Sequence, residues 1–221
     1  MRRDSYRVDE RTPFYLIGTL LLGTTILLSL VSMFHSPNGT DFFPEGGYYQ
    51  GKYILDHTYI HKVGWYLSHF TYQFVLLLFI YFLLALFHKR SIPFFKTIAP
   101  ASFALCIMYV YLLYPKQPLP SYQLPFSTIF SHFMTVFLVL CELLYIKEYT
   151  FIETTYCLLF VGTMIGTVYL NYFFRGVWSY DLIHLDTVSG WKLVSYSILL
   201  MYTFSLLIYL YKSKSKSNKN S

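Results

Sequence analysis

Ser68 and His132 are the residues of this 221-residue chain whose types and placement could do chemistry together. A serine hydroxyl is a weak nucleophile until a base takes its proton, and a neutral imidazole is the side chain suited to that task near pH 7. Both lie near the start of long apolar segments, at 63–87 and 127–146, where ionisable side chains are costly and usually face a protein interior or a water-filled cavity. If both segments are helices entering from one side, each residue sits about 8 Å below the surface at 1.5 Å of rise per residue. A nucleophile and a base at one depth read as a hydrolytic site just under the interface. Taken singly, the serine reads as a packing or back-bonded residue, and the histidine divides between an interhelical hydrogen bond and function.

The elements that must position this pair are membrane helices. Apolar residues make up 55% of the chain and charged residues 13%, with a mean hydropathy of +0.45, which does not suit a soluble globular domain. Six apolar runs, at 14–34, 63–87, 97–114, 127–146, 151–174 and 191–211, each approach the roughly 20 residues that a spanning helix needs. The expected fold is therefore all-α, a polytopic bundle of six spans. The third run is the shortest, with Pro100 expected in its first turn, where a missing amide does no harm. A basic arm at 1–13 precedes the bundle at 14–211, and a lysine and serine tail, KSKSKSNKNS, follows at 212–221 and is expected to be disordered.

Charge orients the bundle. Arg2, Arg3, Arg7, Arg11, Lys89, Arg90, Lys96, Lys147, Lys212, Lys214, Lys216 and Lys219 fall on one side, 12 of the 17 basic residues, against Lys52, Lys62, Lys116, Arg175 and Lys192 on the other. The positive-inside rule then puts both termini in the cytoplasm and the loops at 35–62, 115–126 and 175–190 in the lumen or outside the cell. The net charge of +6 reflects this topology rather than nucleic-acid binding, because no long soluble domain gathers the basic residues into a recognition surface. The first run has spanning length and reads as a retained anchor. Cys106, Cys141 and Cys157 fall within apolar runs and read as buried thiols. Asn38, Gly39 and Thr40 form a glycosylation acceptor on the outer side, but their closeness to the membrane favours a plain turn. The Tyr- and Phe-rich first outer loop suits interfacial anchoring better than a lid.

Two other readings compete. Asp56, His57 and His61 form a D-H-x-x-x-H run whose imidazoles would share a helix face. With His69, His132 and His184 on or near the same side, a zinc-activated water is conceivable, similar to the constellation of membrane ceramidase-type hydrolases. Those enzymes have seven spans, and surface histidines are the plainer explanation. A scaffold or small transporter is the non-enzymatic alternative; the chain has no inverted repeat or run of midplane charges, and Glu142 and Glu153 fall near inner helix ends, where carboxylates reach water.

Four short passages, in order, resemble the androgen-induced protein family. WYLS at 65–68 resembles the family's Trp-Lys-aromatic-Leu-Thr stretch, and Ala99 with Pro100 resembles an Ala-Phe-Pro element. SHFMTVFLVLCE at 131–142 resembles its His-Thr-Thr segment, including the glutamate ten residues after the histidine, and GVWSYDLIH at 176–184 resembles its Gly-x-Trp-x-Tyr-Pro loop. The resemblance implies a membrane hydrolase of fatty acid esters of hydroxy fatty acids, with a threonine nucleophile and a histidine base, falling here on Ser68 and His132. The chain departs from the pattern in three places. Serine replaces threonine with the tryptophan one residue closer, making Thr71 a rival nucleophile; Thr128 and Ile129 stand for an Asn-His pair; and Asp181 stands for the loop proline.

The expected cycle has His132 take the Ser68 proton as the hydroxyl attacks the ester carbonyl, and water then hydrolyses the acyl-enzyme. No cofactor is required. Asp181, His184 and Asp186 are candidates to orient His132, and Asn171, Tyr169 or helix-start amides are candidates for the oxyanion. The partners implied are a membrane lipid and the bilayer. The endoplasmic reticulum is the default location, with the site toward the lumen.

Overall fold

A computed structural model describes residues 10–35, 48–49, 52–53, 63–64, 66–113, 129–176, 178–179 and 184–217. They form α1 (Thr12–His35), a two-residue strand pair β1 (Tyr48–Tyr49) and β2 (Lys52–Tyr53), α2 (Phe70–Leu86) and α3 (Ile92–Met108), which runs on as a π-helical turn (Tyr109–Leu113). A second π-helical turn (Phe130–Met134) opens α4 (Thr135–Tyr145). A 3-10 turn (Ile152–Thr155) leads into α5 (Cys157–Arg175), and α6 (Val188–Ser217) closes the described chain.

The strands pair Tyr48 with Tyr53 and Tyr49 with Lys52, a minimal hairpin that a purely helical reading did not include. The stretches Thr12–Val31, Ile92–Tyr111, Ile152–Phe174 and Val188–Lys214 are long and apolar enough to cross a membrane, which marks the chain as a membrane protein. α2 is shorter, at 17 residues, as is the stretch Phe130–Tyr145.

α3 sits at the centre, packed on α2, α4, α5 and α6, while α1 lies against α2. Its side chains explain the position: Ala99, Ala101, Ser102 and Ala104 are buried, and small residues let neighbouring backbones approach without a hydrophobic drive between helices in lipid. α1 approaches α2 the same way, since a Cβ on Gly18 would lie 2.2 Å from the Phe82 ring. The perimeter carries Leu20, Leu27, Phe137, Leu159, Phe173 and Leu199, large apolar side chains suited to lipid.

Pro100 lies in the interior of α3, not in its first turn, because the helix starts at Ile92 with Pro93 already at its N-terminus. A proline here denies the Lys96 carbonyl its amide donor four residues on. The Tyr149 hydroxyl, 3.5 Å away, donates to that carbonyl and also contacts Ser205 Oγ at 2.9 Å. α2 and α3 join through His88, which takes the left-handed conformation (φ 60°); its amide donates to Ala85 and that of Lys89 to Leu84, satisfying the last carbonyls of α2. α6 extends through Ser217, into the segment expected to be an unstructured tail, with Lys212 buried and its ammonium donating to the Leu143 carbonyl near the end of α4.

Candidate active site

The helix expected to carry Ser68 is interrupted there: residues 63–64 and 66–67 are helical, but Ser68 and His69 are not. α2 starts at Phe70, with His69 in extended geometry as its N-cap, so Ser68 stands in a turn whose amide donates to Gly64. It is buried all the same, at 3% exposure. The expected helix from residue 63 is therefore broken at Ser68 rather than continuous through it. Thr71 is the second residue of α2 and is half-buried. Leu67, the helical residue just before that turn, has its carbonyl held by the Gln73 amide at 2.6 Å, and that amide also donates to Thr167 on α5. A second tie joins this region to α1, where Ser29 Oγ and the Tyr66 hydroxyl lie 2.8 Å apart and Tyr66 stacks on Tyr72 at 4.1 Å.

His132 lies within the second π-helical turn and is buried at 5% exposure. Its ring stacks on Tyr109, the first residue of the other π turn, with centroids 4.3 Å apart and planes 12° from parallel. The imidazole makes a hydrogen bond to the Leu105 backbone, while Nδ1 is buried without a partner. Nδ1 is the ring nitrogen left open to a further partner. Single π turns inside helices mark functional sites with unusual frequency, and here two of them bring a histidine and a tyrosine face to face. The wider turn also leaves carbonyls to be served: Thr135 Oγ1 donates to Ser131 at 2.8 Å and reaches His132 at 3.3 Å.

Ser68 and His132 are both interior, but no hydrogen bond links Ser68 to the open Nδ1. The expected orienting groups do not perform that role among the described residues. His184 is half-buried with its ring 6.3 Å from Trp178, its carbonyl holds Thr187, and Asp186 is exposed. Asp181 lies outside the described residues. Of the oxyanion candidates, Asn171 is buried and Tyr169 is exposed, edge-on to Trp178 at 5.7 Å. Trp178 itself is buried and stacks on Tyr172 at 4.0 Å, and next to it Ser179 Oγ is buried without a partner. His57, His61 and Asp56 lie outside the described residues, and among the described residues no three of His, Cys, Asp and Glu gather around a possible metal.

A second polar centre lies at the other end of the bundle. Glu142 is fully buried, contrary to the expectation that it reaches water; its Oε1 accepts the Tyr81 hydroxyl, pairs with Arg90 Nη2 at 2.7 Å and lies 3.4 Å from the Tyr15 hydroxyl. Arg90 Nε also donates to the Tyr81 hydroxyl at 3.0 Å. Glu153, partly exposed as expected, holds the buried Lys96 ammonium through both oxygens at 2.7 Å. Glu142 leaves water because a basic partner from the α2–α3 connection reaches it.

Fold and site together define an α-helical membrane protein with a buried imidazole in one half and a buried ionic network in the other. Comparison of the chain with protein-family models, with curated proteins and with solved structures finds no match.

Proposed function

We propose that this chain is a six-span integral membrane hydrolase of lipid carboxylic esters, with His132 as its base and Ser68 as its nucleophile. The supporting observation is the empty Nδ1 of His132. Leaving a buried polar atom unpaired costs about 1–3 kcal/mol, and native proteins keep few such atoms without a use for them. A neutral imidazole that carries its proton on Nε2 presents at Nδ1 the lone pair that a general base needs. In the Ser-His-Asp arrangement a carboxylate fixes the tautomer; in the proposed site the Leu105 backbone takes that part, and the stacked Tyr109 ring fixes the plane.

In the proposed cycle Nδ1 takes the Ser68 Oγ proton as Oγ adds to the ester carbonyl. The tetrahedral intermediate expels the alcohol, which takes that proton, and water enters by the same route to release the fatty acid. The missing Ser68 to His132 bond is compatible with this cycle, because catalytic hydrogen bonds are often long until substrate binds, and a turn before a helix adjusts more readily than a helix interior. The similarity of four sequence passages to the androgen-induced protein family supports fatty acid esters of hydroxy fatty acids as substrates. Six spans with cytoplasmic termini put the site toward the lumen of the endoplasmic reticulum. α2 and α4 supply the two shorter spans, and lateral contacts support the alternation: Tyr15, Tyr81, Arg90 and Glu142 meet at one end, while Tyr109 with His132 and Gln73 with Thr167 meet toward the other.

The test is labelling of the detergent-solubilised chain by a fluorophosphonate, comparing wild type with Ser68→Ala, Thr71→Ala and His132→Ala at equal folded amounts. Labelling lost in Ser68→Ala and His132→Ala and kept in Thr71→Ala is expected. Loss in Thr71→Ala alone moves the nucleophile into α2, and absence of labelling in every form overturns the reading.

A further inference from the structure

At the end of the bundle where the ionic network lies, a cavity of about 360 Å³ opens between the start of α1, the α2–α3 connection and the end of α4. Arg11, Arg90, Lys96 and Lys147 line it, with Glu148 as the acidic member and Ile92, Tyr145 and Ile146 as the apolar wall. We propose that this cavity is a binding site for a phosphate monoester, filled by the phosphomonoester headgroup of an anionic membrane lipid.

The basic lining is unevenly committed, and that is what makes it a site. Lys96 is held by both oxygens of Glu153 and lies over the Tyr149 ring, so it shapes the wall. Arg90 turns Nε to the Tyr81 hydroxyl and sets Nη2 2.7 Å from Glu142, which anchors the guanidinium in the wall. Lys147 is exposed and enters no ion pair or hydrogen bond with the described residues. Arg11 stands 5.4 Å over the ring of Tyr145, which also lines the opening.

An anchored planar guanidinium beside a mobile ammonium suits phosphate, since arginine gives directed hydrogen bonds and lysine a point charge. The volume falls in the range of roughly 300–1,000 Å³ typical of small-ligand pockets. Tyr145, Ile92 and Ile146 add an apolar edge beside the cations, as a ligand with a charged head and an acyl body requires. The ends of spanning helices lie at headgroup level, and basic pockets between such ends attract anionic lipids. This inference stands apart from the hydrolase reading: it uses no residue of the Ser68 and His132 region and survives if that region proves inert.

The experiment uses the full chain in phosphatidylcholine nanodiscs, titrated by fluorescence anisotropy with a dye-labelled short-chain phosphatidylinositol 4-phosphate. Competitors are the unlabelled lipid, soluble inositol 1,4-bisphosphate and short-chain phosphatidylserine. Saturable binding is expected, displaced by the unlabelled lipid and at least tenfold less readily by phosphatidylserine. Lys147→Glu, at an exposed position that leaves the fold intact, and Arg11→Gln should each weaken binding about fivefold or more. Displacement by inositol 1,4-bisphosphate as effectively as by the lipid keeps the phosphate site and assigns it to a soluble phosphate monoester. Binding that does not saturate, that ignores both substitutions, or that phosphatidylserine displaces equally well overturns the proposal.

Discussion

Replacing Glu142 by leucine removes the acceptor on which Tyr81, Arg90 and Tyr15 converge. The carboxylate is fully buried, and the Arg90 side chain is 19% exposed. Breaking a buried pair by deleting one partner typically costs about 3–5 kcal/mol, because a charge stays behind without its counter-ion. Partial exposure lets Arg90 turn toward water, which favours the lower end, while each tyrosine hydroxyl that loses its acceptor adds about 1 kcal/mol. A net loss of about 5 kcal/mol follows, equivalent to a fall in Tm of roughly 10–20 °C for a chain of this size. Arg90→Met strands the carboxylate and should cost a similar amount. The double variant Glu142→Leu with Arg90→Met strands neither charge, so it should lose at least about 2 kcal/mol less than the sum of the two single losses. Thermal unfolding in detergent, followed by size-exclusion chromatography, measures all four proteins. Additive single losses, or a Glu142→Leu protein within about 0.5 kcal/mol of wild type, would refute the buried ionic tie.

Four further outcomes are expected. Gly18→Val drives its side chain into the Phe82 ring and should destabilise by about 1–3 kcal/mol in the same assay, whereas Gly166→Ala, which meets nothing within 4 Å, should not. Tyr149→Phe deprives the Lys96 carbonyl and Ser205 of a partner and should cost about 1–3 kcal/mol, a loss that Pro100→Ala reduces by restoring an amide to that carbonyl. Tyr109→Leu removes the ring stacked on His132 and should slow fluorophosphonate labelling more than it lowers Tm; equal slowing in an unrelated core variant of the same Tm would deny Tyr109 a part in the site. In sealed vesicles, an impermeant maleimide should reach Lys147→Cys and Lys192→Cys from opposite faces, and labelling of both from one face would remove the six-span topology.

Much of the architecture could be read from the chain alone. Apolar runs of spanning length, separated by basic connections, leave helices as the only way to satisfy the backbone in lipid, and six helical stretches stand close to where hydropathy sets them. Their ends were less legible. Residues 63–69, VGWYLSH, hold no proline or other helix breaker beyond Gly64, so the sequence does not announce the extended N-cap at His69 that puts Ser68 in a turn. Pro100 reads as a helix start because the Tyr149 hydroxyl that tolerates it lies 49 residues away in sequence. Glu142 reads as water-seeking because its partner, Arg90, meets it only across helices.

Residue types alone therefore determined that this is a helical membrane chain with a histidine and a serine in apolar surroundings. Tertiary structure decided what the histidine can do. The two π turns, the Tyr109 stack, the Leu105 bond and the open Nδ1 all depend on how α3 and α4 pack. A one-residue widening of a helix costs little locally and leaves no mark in hydropathy, but it rotates every side chain beyond it, so only the packed bundle shows which ring nitrogen stays open.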